Sequence, residues 1–319
     1  MFDSLFINEP GTSLRKKSRR AVVKSSNANH SEYSLLKLKE ITLAGGGITV
    51  SSDLIEEAMK LGIHINLLDS IGRPYGIIVS PNISETVASV RGQFKSENTQ
   101  LAIELAREII IAKIKNQKQI LLNYPNIDCQ YFIKNIDALL TNLRNIKLGD
   151  DYRKQLFSIE GRAADAYWQG VNLILGDCVV FPGRIGRGAK DIINTLLNYG
   201  YGILYSRVMK SVLSSGLVPF AGFIHTDRPG KASLVLDLME VFRQPAVDYV
   251  MLDFVRENRP EIRPEILKNF SEKVIERLKS RSMFKDKKHT LENIIDLQVQ
   301  TVASSFREQR SAIIWGGDT

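Results

Sequence analysis

The chain reads as an α+β protein in which a small β-rich N-terminal domain, residues 1–82, precedes a larger all-helical domain, residues 83–319. Two patterns and the stretch between them predict this division. Before about residue 80 the apolar residues come in short β-type runs, SLFIN, RAVVK, ITLAG, GIHINLLD and YGIIV, each bounded by turn residues. One helix, from about Asp53 to Lys60, interrupts them, and AGGGI at 44–48 reads as a turn. SPNISET, with its proline and polar residues, marks the linker. From about Ser84 the period changes. In ENTQLAIELAREIIIAKIKNQKQILLN apolar residues return every three or four positions and charges fill the gaps, the signature of an amphipathic helix. The residues from about Ser311 onward read as a loosely ordered chain end.

A chain of 319 residues can bury a full core without covalent staples. Its two cysteines, Cys129 and Cys178, offer neither a disulfide framework nor a zinc-ligand pairing, which favours a reducing compartment. No apolar run spans a bilayer, and MFDSLFINEP lacks a secretory signal, so the expected location is the cytoplasm. Lys and Arg number 43 against 35 Asp and Glu, and the net charge of +8 favours polyanionic partners. The basic residues cluster at Arg15, Lys16, Lys17, Arg19 and Arg20, at Arg184, Arg187 and Lys190, and at Lys285, Lys287 and Lys288. The middle group lies in GRIGRGAKD, where glycines let backbone approach a phosphate beside cations. That spacing fits neither the dinucleotide fingerprint nor the P-loop. A glycine-rich turn before a helix accounts for it equally well, and a solvated hairpin turn accounts for the N-terminal run.

The chemistry-bearing residues are Glu160 in SIEGRAADAYW, and His225 and Glu240 in GFIHTDRPGKASLVLDLMEVFR. Glu160 begins a helical pattern continued by Ala163, Ala164 and Tyr167. Leu234, Leu238 and Val241 mark the apolar side of a second helix that opens near Gly230 and Ser233. Asp237 and Glu240, three residues apart, are separated by about 60° around that helix and are expected to face the same way, with His225 just before it. Two carboxylates and an imidazole suit a catalytic Mg²⁺ or Mn²⁺, the imidazole tilting the choice towards manganese. Taken singly, such glutamates more often face water, and a loop histidine more often satisfies backbone. Arg162, two residues beyond Glu160, should point away from it and is a DNA-backbone candidate at most, while Trp168 reads as a core residue.

Across nearly the whole chain the sequence resembles the CRISPR-associated Cas-one integrase family. LFINEPGTSLRKKSRRAVV, GIHINLLDSIGRPYGII, SIEGRAADAYW, DIINTLLNYGYGILYSRV and GFIHTDRPGKASLVLDLMEVFRQPAVD occur in the family's order and at similar separations. The resemblance implies a metal held by Glu160, His225 and Glu240, with Asp237 at a nearby acidic position of secondary importance. It also implies a β domain that pairs with a second copy to form a homodimer, a helical domain that carries the active site, and two dimers bridged by a small Cas-two protein. Asn194, Tyr199 and Tyr201 are candidates to line the site, Tyr201 as a weak DNA contact alongside Arg184, Arg187 and Lys190. Tyrosines at helical spacing are nevertheless more often half-buried packing groups.

The expected function is therefore a metal-dependent DNA integrase or endonuclease of CRISPR adaptation. The 3′-hydroxyl of a double-stranded DNA fragment would attack a phosphodiester at the repeat boundary. With water as nucleophile the same ligands give a nuclease, and a non-catalytic nucleic-acid scaffold remains the reading from a different class.

Overall fold

Period-two burial sets the strands of the N-terminal part. Leu5 and Ile7 turn inward from β1 (Ser4–Ile7), and Ala21 and Val23 from β3 (Arg20–Lys24). The structure is a computed structural model and describes residues 4–26, 30–70, 72–80, 86–144, 152–186, 188–226 and 228–317. The expected 82/83 boundary falls within 81–85, outside the described residues. All five strands predicted from the sequence are present, including β5 (Glu40–Ala44), β7 (His64–Leu68) and β8 (Pro74–Ile78), as is the helix α1 (Ser52–Lys60). Three further strands, β2 (Ser13–Lys17), β4 (His30–Ser34) and β6 (Thr49–Val50), are polar or very short and escape the apolar pattern.

The strands form two four-stranded sheets, ordered β1-β5-β7-β8 and β4-β3-β2-β6. In the first, β5 runs parallel to β1 and β7, and β8 closes the edge antiparallel to β7. Leu14, Ile41, Leu54, Ala58 and Ile65 join the core that these elements share. The basic run at Arg15 to Arg20 is a hairpin, β2 turning into β3 through Ser18 in a left-handed conformation. Lys16 pairs there with Glu57 of α1 at 2.7 Å.

Helices dominate the remainder: α2 (Thr86–Lys95), α3 (Gln100–Leu122), α4 (Gln130–Arg144), α5 (Tyr152–Leu175), α6 (Ile192–Ser214), α7 (Ser233–Met239), α8 (Tyr249–Asn258), α9 (Pro264–Lys279) and α10 (Leu291–Glu308). A π-helical turn, Gln244–Asp248, leads into α8. The expectation of an all-helical part needs one correction. An antiparallel hairpin, β9 (Arg281–Phe284) and β10 (Lys287–Thr290), separates α9 from α10. Its strands are only four residues long and mostly polar, so they carry no apolar alternation, and Lys285 and Asp286 make the turn with positive φ. The chain end is a second correction. Trp315 is buried, its ring stacks on Phe242 at 5.5 Å, and its indole N–H donates to the Met283 carbonyl at 2.9 Å. A tryptophan that buries this much apolar area holds the residues around it in place.

The helix α6 is apolar almost all round and forms the spine of the helical part. It also joins that part to the first sheet. Gly72, in the β7–β8 turn with φ of +79°, lies so close to α6 that any side chain at Gly202 would overlap the Gly72 carbonyl. Phe6 meets Tyr199 edge to face on the same side of the helix. Deeper along α6, Arg207 pairs with Asp296 of α10, and Ser211 donates to the same carboxylate at 2.5 Å.

His64 of β7 packs beside these cations. Its Nδ1 is buried without a hydrogen-bond partner, and burial, aided by Lys210 and Arg207, lowers its pKa from 6.5 to about 4. The unfolded chain therefore takes up this proton first. The contribution of neutral His64 is complete above pH 6.5 and is lost as pH falls towards 4, by roughly 2 kcal/mol once the ring's partial contact with solvent is allowed for. Denaturant unfolding of wild type and His64→Gln across that window should show the shallower slope in the variant, and equal slopes would contradict this account. Among the described residues no helix is long and apolar enough to cross a membrane.

Candidate metal centre

Three helices and one loop converge on a buried cluster of charge. Glu160 extends from the middle of α5, on the side of the helix that also buries Ala163 and Tyr167. Glu240 caps the C-terminal end of α7 and is only 5% exposed. Between them lies the ammonium of Lys113, from α3, in contact with Glu160 Oε1 and 2.6 Å from Glu240 Oε2. Arg243 reaches the other oxygen of Glu240 at 3.1 Å. One turn beyond Lys113, Asn116 donates to the Val241 carbonyl at 2.7 Å, so α3 fixes the backbone of the turn that carries Glu240.

The electrostatics follow from this packing. Burial alone would raise the pKa of Glu240. Arg243 and Lys113, with a smaller contribution from His225, reverse that and hold it down at about 2. Burial likewise opposes charge on Lys113, but Glu240 and Glu160 raise its pKa above the ordinary lysine value. At neutral pH Glu240 is a carboxylate and Lys113 an ammonium.

Asp237 does not share the outlook of Glu240. It is fully buried and turns back onto the loop before α7. Its Oδ2 accepts the backbone N–H groups of Phe223 at 2.7 Å and Ile224 at 2.9 Å, and its Oδ1 accepts that of His225 at 2.9 Å. The same Oδ1 lies 2.7 Å from His225 Nδ1. One turn earlier, the Ser233 hydroxyl accepts the Gly222 N–H at 2.9 Å and donates to the Phe220 carbonyl at 2.6 Å. Two side chains four residues apart on α7 thus clamp the loop, and Asp237 fixes the imidazole through Nδ1, leaving Nε2 as the nitrogen open to a further partner. The ring packs edge to face on Phe157, which lies one turn before Glu160 on α5.

The donors fit a divalent ion in charge and chemistry: two anionic carboxylates, one of them deeply buried, and an imidazole whose far nitrogen is held in place by a carboxylate. Glu240 Oε2 adds to the fit, because the Lys113 ammonium 2.6 Å away is the cation held against it. Among the described residues no three His, Cys, Asp or Glu side chains stand close enough to close round an ion. Glu160 and Glu240 meet through Lys113, and His225 stands to one side on Asp237.

Behind this cluster lies a second buried network. The guanidinium of Arg243 sits 4.6 Å from the centre of the Tyr201 ring, whose hydroxyl donates to Asp248 at 2.5 Å. Tyr167 donates to the other oxygen of Asp248 at 2.9 Å. Burial pushes Asp248 up to about 6 against the hydrogen bonds of both tyrosines. Tyr201 thus supports Arg243 from within. Tyr199, packed on Phe6 and Gly72, lies on the sheet side of α6 instead.

Arg184 is half-buried, its guanidinium donating to Asn194 Oδ1 at 2.9 Å and Asn198 Oδ1 at 2.7 Å, which pins the loop it belongs to against the start of α6. Asn194 also donates to the Gly183 carbonyl at 2.8 Å. Lys190 is exposed just before that helix, whereas Arg187 lies outside the described residues. Arg162 is exposed and lines a groove between α4 and α5 with Tyr131 and Asn135. Trp168 is half-buried between Tyr167 and Phe181.

Sequence reasoning missed Lys113, Asn116 and Arg243. The signal was present for the first two. Ala102, Leu105, Ala106, Ile109 and Ile120 mark a buried stripe along α3, and Lys113 and Asn116 fall on it at helical spacing. Polar side chains at core positions of a helix point to a buried partner.

Residues 5–278 match the family model described as CRISPR associated protein Cas1. The chain is 33% identical over 303 residues to CRISPR-associated endonuclease Cas1 1 of Archaeoglobus fulgidus, covering 86% of this chain and 87% of that protein. In fold it is similar to a casposase bound to integration product, with a TM-score of 0.84 and 22% identity over 99% of this chain and 93% of the other. It is also similar to a chain of a Cas6-RT-Cas1–Cas2 complex, with a TM-score of 0.80 and 22% identity over 99% of this chain and 36% of that one. The order of the motifs, the buried acidic cluster and these matches lead to one assignment: the chain belongs to the Cas1 family of CRISPR-associated proteins.

Proposed function

We propose that this Cas1 protein is a metal-dependent DNA integrase, joining the 3′-hydroxyl of a DNA fragment to a phosphodiester at the boundary of a CRISPR repeat. The observation that carries the reading is the convergence of Glu160 and Glu240, from separate helices, on a single cation beside an imidazole anchored by a buried carboxylate. Glu160, Glu240 and His225 Nε2 would hold Mg²⁺ or Mn²⁺. Such an ion, when bound, supplies Lewis-acid polarisation of the phosphodiester and lowers the pKa of the attacking hydroxyl.

The protein's own residues do the rest. Asp237 holds the imidazole in one tautomer, with its proton on Nδ1. Arg243 keeps Glu240 ionised and in register, and Tyr201 and Asp248 fix Arg243 in turn. Arg184 shapes the loop from which Lys190 and Arg187 would meet phosphates, and the net charge of +8 favours the approach of DNA. The similarity to a casposase bound to integration product and to a chain of a Cas6-RT-Cas1–Cas2 complex supports an integration product as ligand and a small Cas2-type protein as partner. In this reading residues 1–82 form the dimerising part, and a Cas2-type protein bridges two dimers held around double-stranded DNA.

The test is strand joining of a short duplex into a supercoiled plasmid, with the Cas2-type partner present and with Mg²⁺, Mn²⁺ or chelator. Joining should require metal and fall below detection in His225→Ala while that variant unfolds at the wild-type midpoint. Cutting without joining by the wild type would replace the integrase with a nuclease, and no reaction would leave a nucleic-acid scaffold.

A further inference from the structure

A buried lysine that served only to neutralise one acid would pair once. Lys113 pairs twice, and with two groups that have no other reason to meet. Its side chain is 11% exposed, and its ammonium touches one oxygen of Glu160 on α5 and one of Glu240 at the end of α7. These are the two carboxylates assigned to the metal. A Mg²⁺ ion bridging the same two oxygens at about 2.0–2.1 Å would compete with the ammonium for the space between them. Charge favours exchange over addition. Glu160 and Glu240 carry two negative charges, which Lys113 and Arg243 balance in the metal-free protein. A dication added beside both would leave the pocket with two excess positive charges, and exchange for the ammonium leaves one.

The chemistry of the residue suits such an exchange. Lysine presents a compact point charge on a flexible four-carbon stem, whereas the planar fork of Arg243, stacked on Tyr201, is fixed in direction. Both contacts of Lys113 are single-point contacts between one ammonium and one oxygen on each carboxylate, which the flexible stem can release together.

We propose that Lys113 is a tethered counter-ion, which holds Glu160 and Glu240 together before metal arrives and is displaced from the same two oxygens when a divalent cation binds. The inference rests on the metal-site reading above. It explains how a buried and a half-buried carboxylate stay aligned without an ion, and it makes the departure of the ammonium part of loading the site.

Two measurements on the full chain test it. The first is acylation of lysines by acetic anhydride, mapped by mass spectrometry with and without saturating Mg²⁺. Lys113 should be protected without metal and gain label at least about fivefold with it, while exposed Lys190 stays constant. The second is Mn²⁺ affinity by calorimetry, where Lys113→Met should bind about tenfold tighter than wild type and Glu160→Gln should lose binding. Wild type that binds Mn²⁺ through Glu160 while Lys113 labelling stays unchanged would overturn the counter-ion role and leave the metal site standing. Absence of Mn²⁺ binding in both wild type and Lys113→Met would remove the metal site, and the counter-ion with it.

Discussion

Glu240→Leu is expected to lower unfolding free energy by about 3–5 kcal/mol and to abolish metal-dependent joining, while Lys113→Met in the same chain should restore much of the stability and none of the activity. Glu240 is the hub of the buried charge: Lys113 and Arg243 both face it, and its displacement from 4.5 to about 2 corresponds to roughly 3 kcal/mol of differential interaction. Removing the carboxylate alone strands Lys113 with only Glu160 and leaves Arg243 with only the more distant charge of Asp248. An unpaired buried cation costs far more than an apolar side chain of similar volume, which is why a second substitution can repair the first. Denaturant unfolding of the two single variants and the double variant closes the cycle. If the double variant is no more stable than Glu240→Leu, the buried lysine is not what the glutamate offsets, and the counter-ion reading loses its energetic basis.

The parts of this molecule that were legible in the sequence are those governed by local rules. The strand runs around Leu5, Val23, Ile41, Ile65 and Ile77 carry their own apolar signature, and so do α1, α3 and α5. The candidate donors were legible as well, because Glu160, His225 and Glu240 stand in recognisable motifs. What local rules do not encode is which partner a side chain turns to. Helical geometry places Asp237 and Glu240 on neighbouring faces. Orphaned backbone amides in the 223–225 loop capture Asp237, while cations from α3 and from its own turn capture Glu240. The docked Trp315 was illegible for the same reason, since it is held by contacts with distant elements, whereas the hairpin β9–β10 escaped because its short polar strands carry no apolar alternation.

Asp237→Ala should destabilise the protein by about 4 kcal/mol, and Asp237→Asn should do so by less while lowering Mn²⁺ affinity some 10- to 100-fold. The alanine variant leaves the N–H groups of Phe223, Ile224 and His225 without their acceptor in a buried loop, at about 1–3 kcal/mol each before relaxation. Ser233 still anchors Gly222, so the loop frays from its His225 end rather than detaching as a whole. Asparagine keeps one acceptor oxygen but presents an NH₂ group to whichever side the other oxygen served. If the oxygen stays on Phe223 and Ile224, the NH₂ faces His225 Nδ1, which must then give up its proton and become an acceptor. The proton moves to Nε2, and the nitrogen that would bind metal becomes a donor. Stability and affinity therefore separate in this pair, one reporting the amides and the other the tautomer. An Asp237→Asn protein that binds Mn²⁺ as tightly as wild type would show that the carboxylate serves the loop alone and that the orientation of the imidazole does not depend on it.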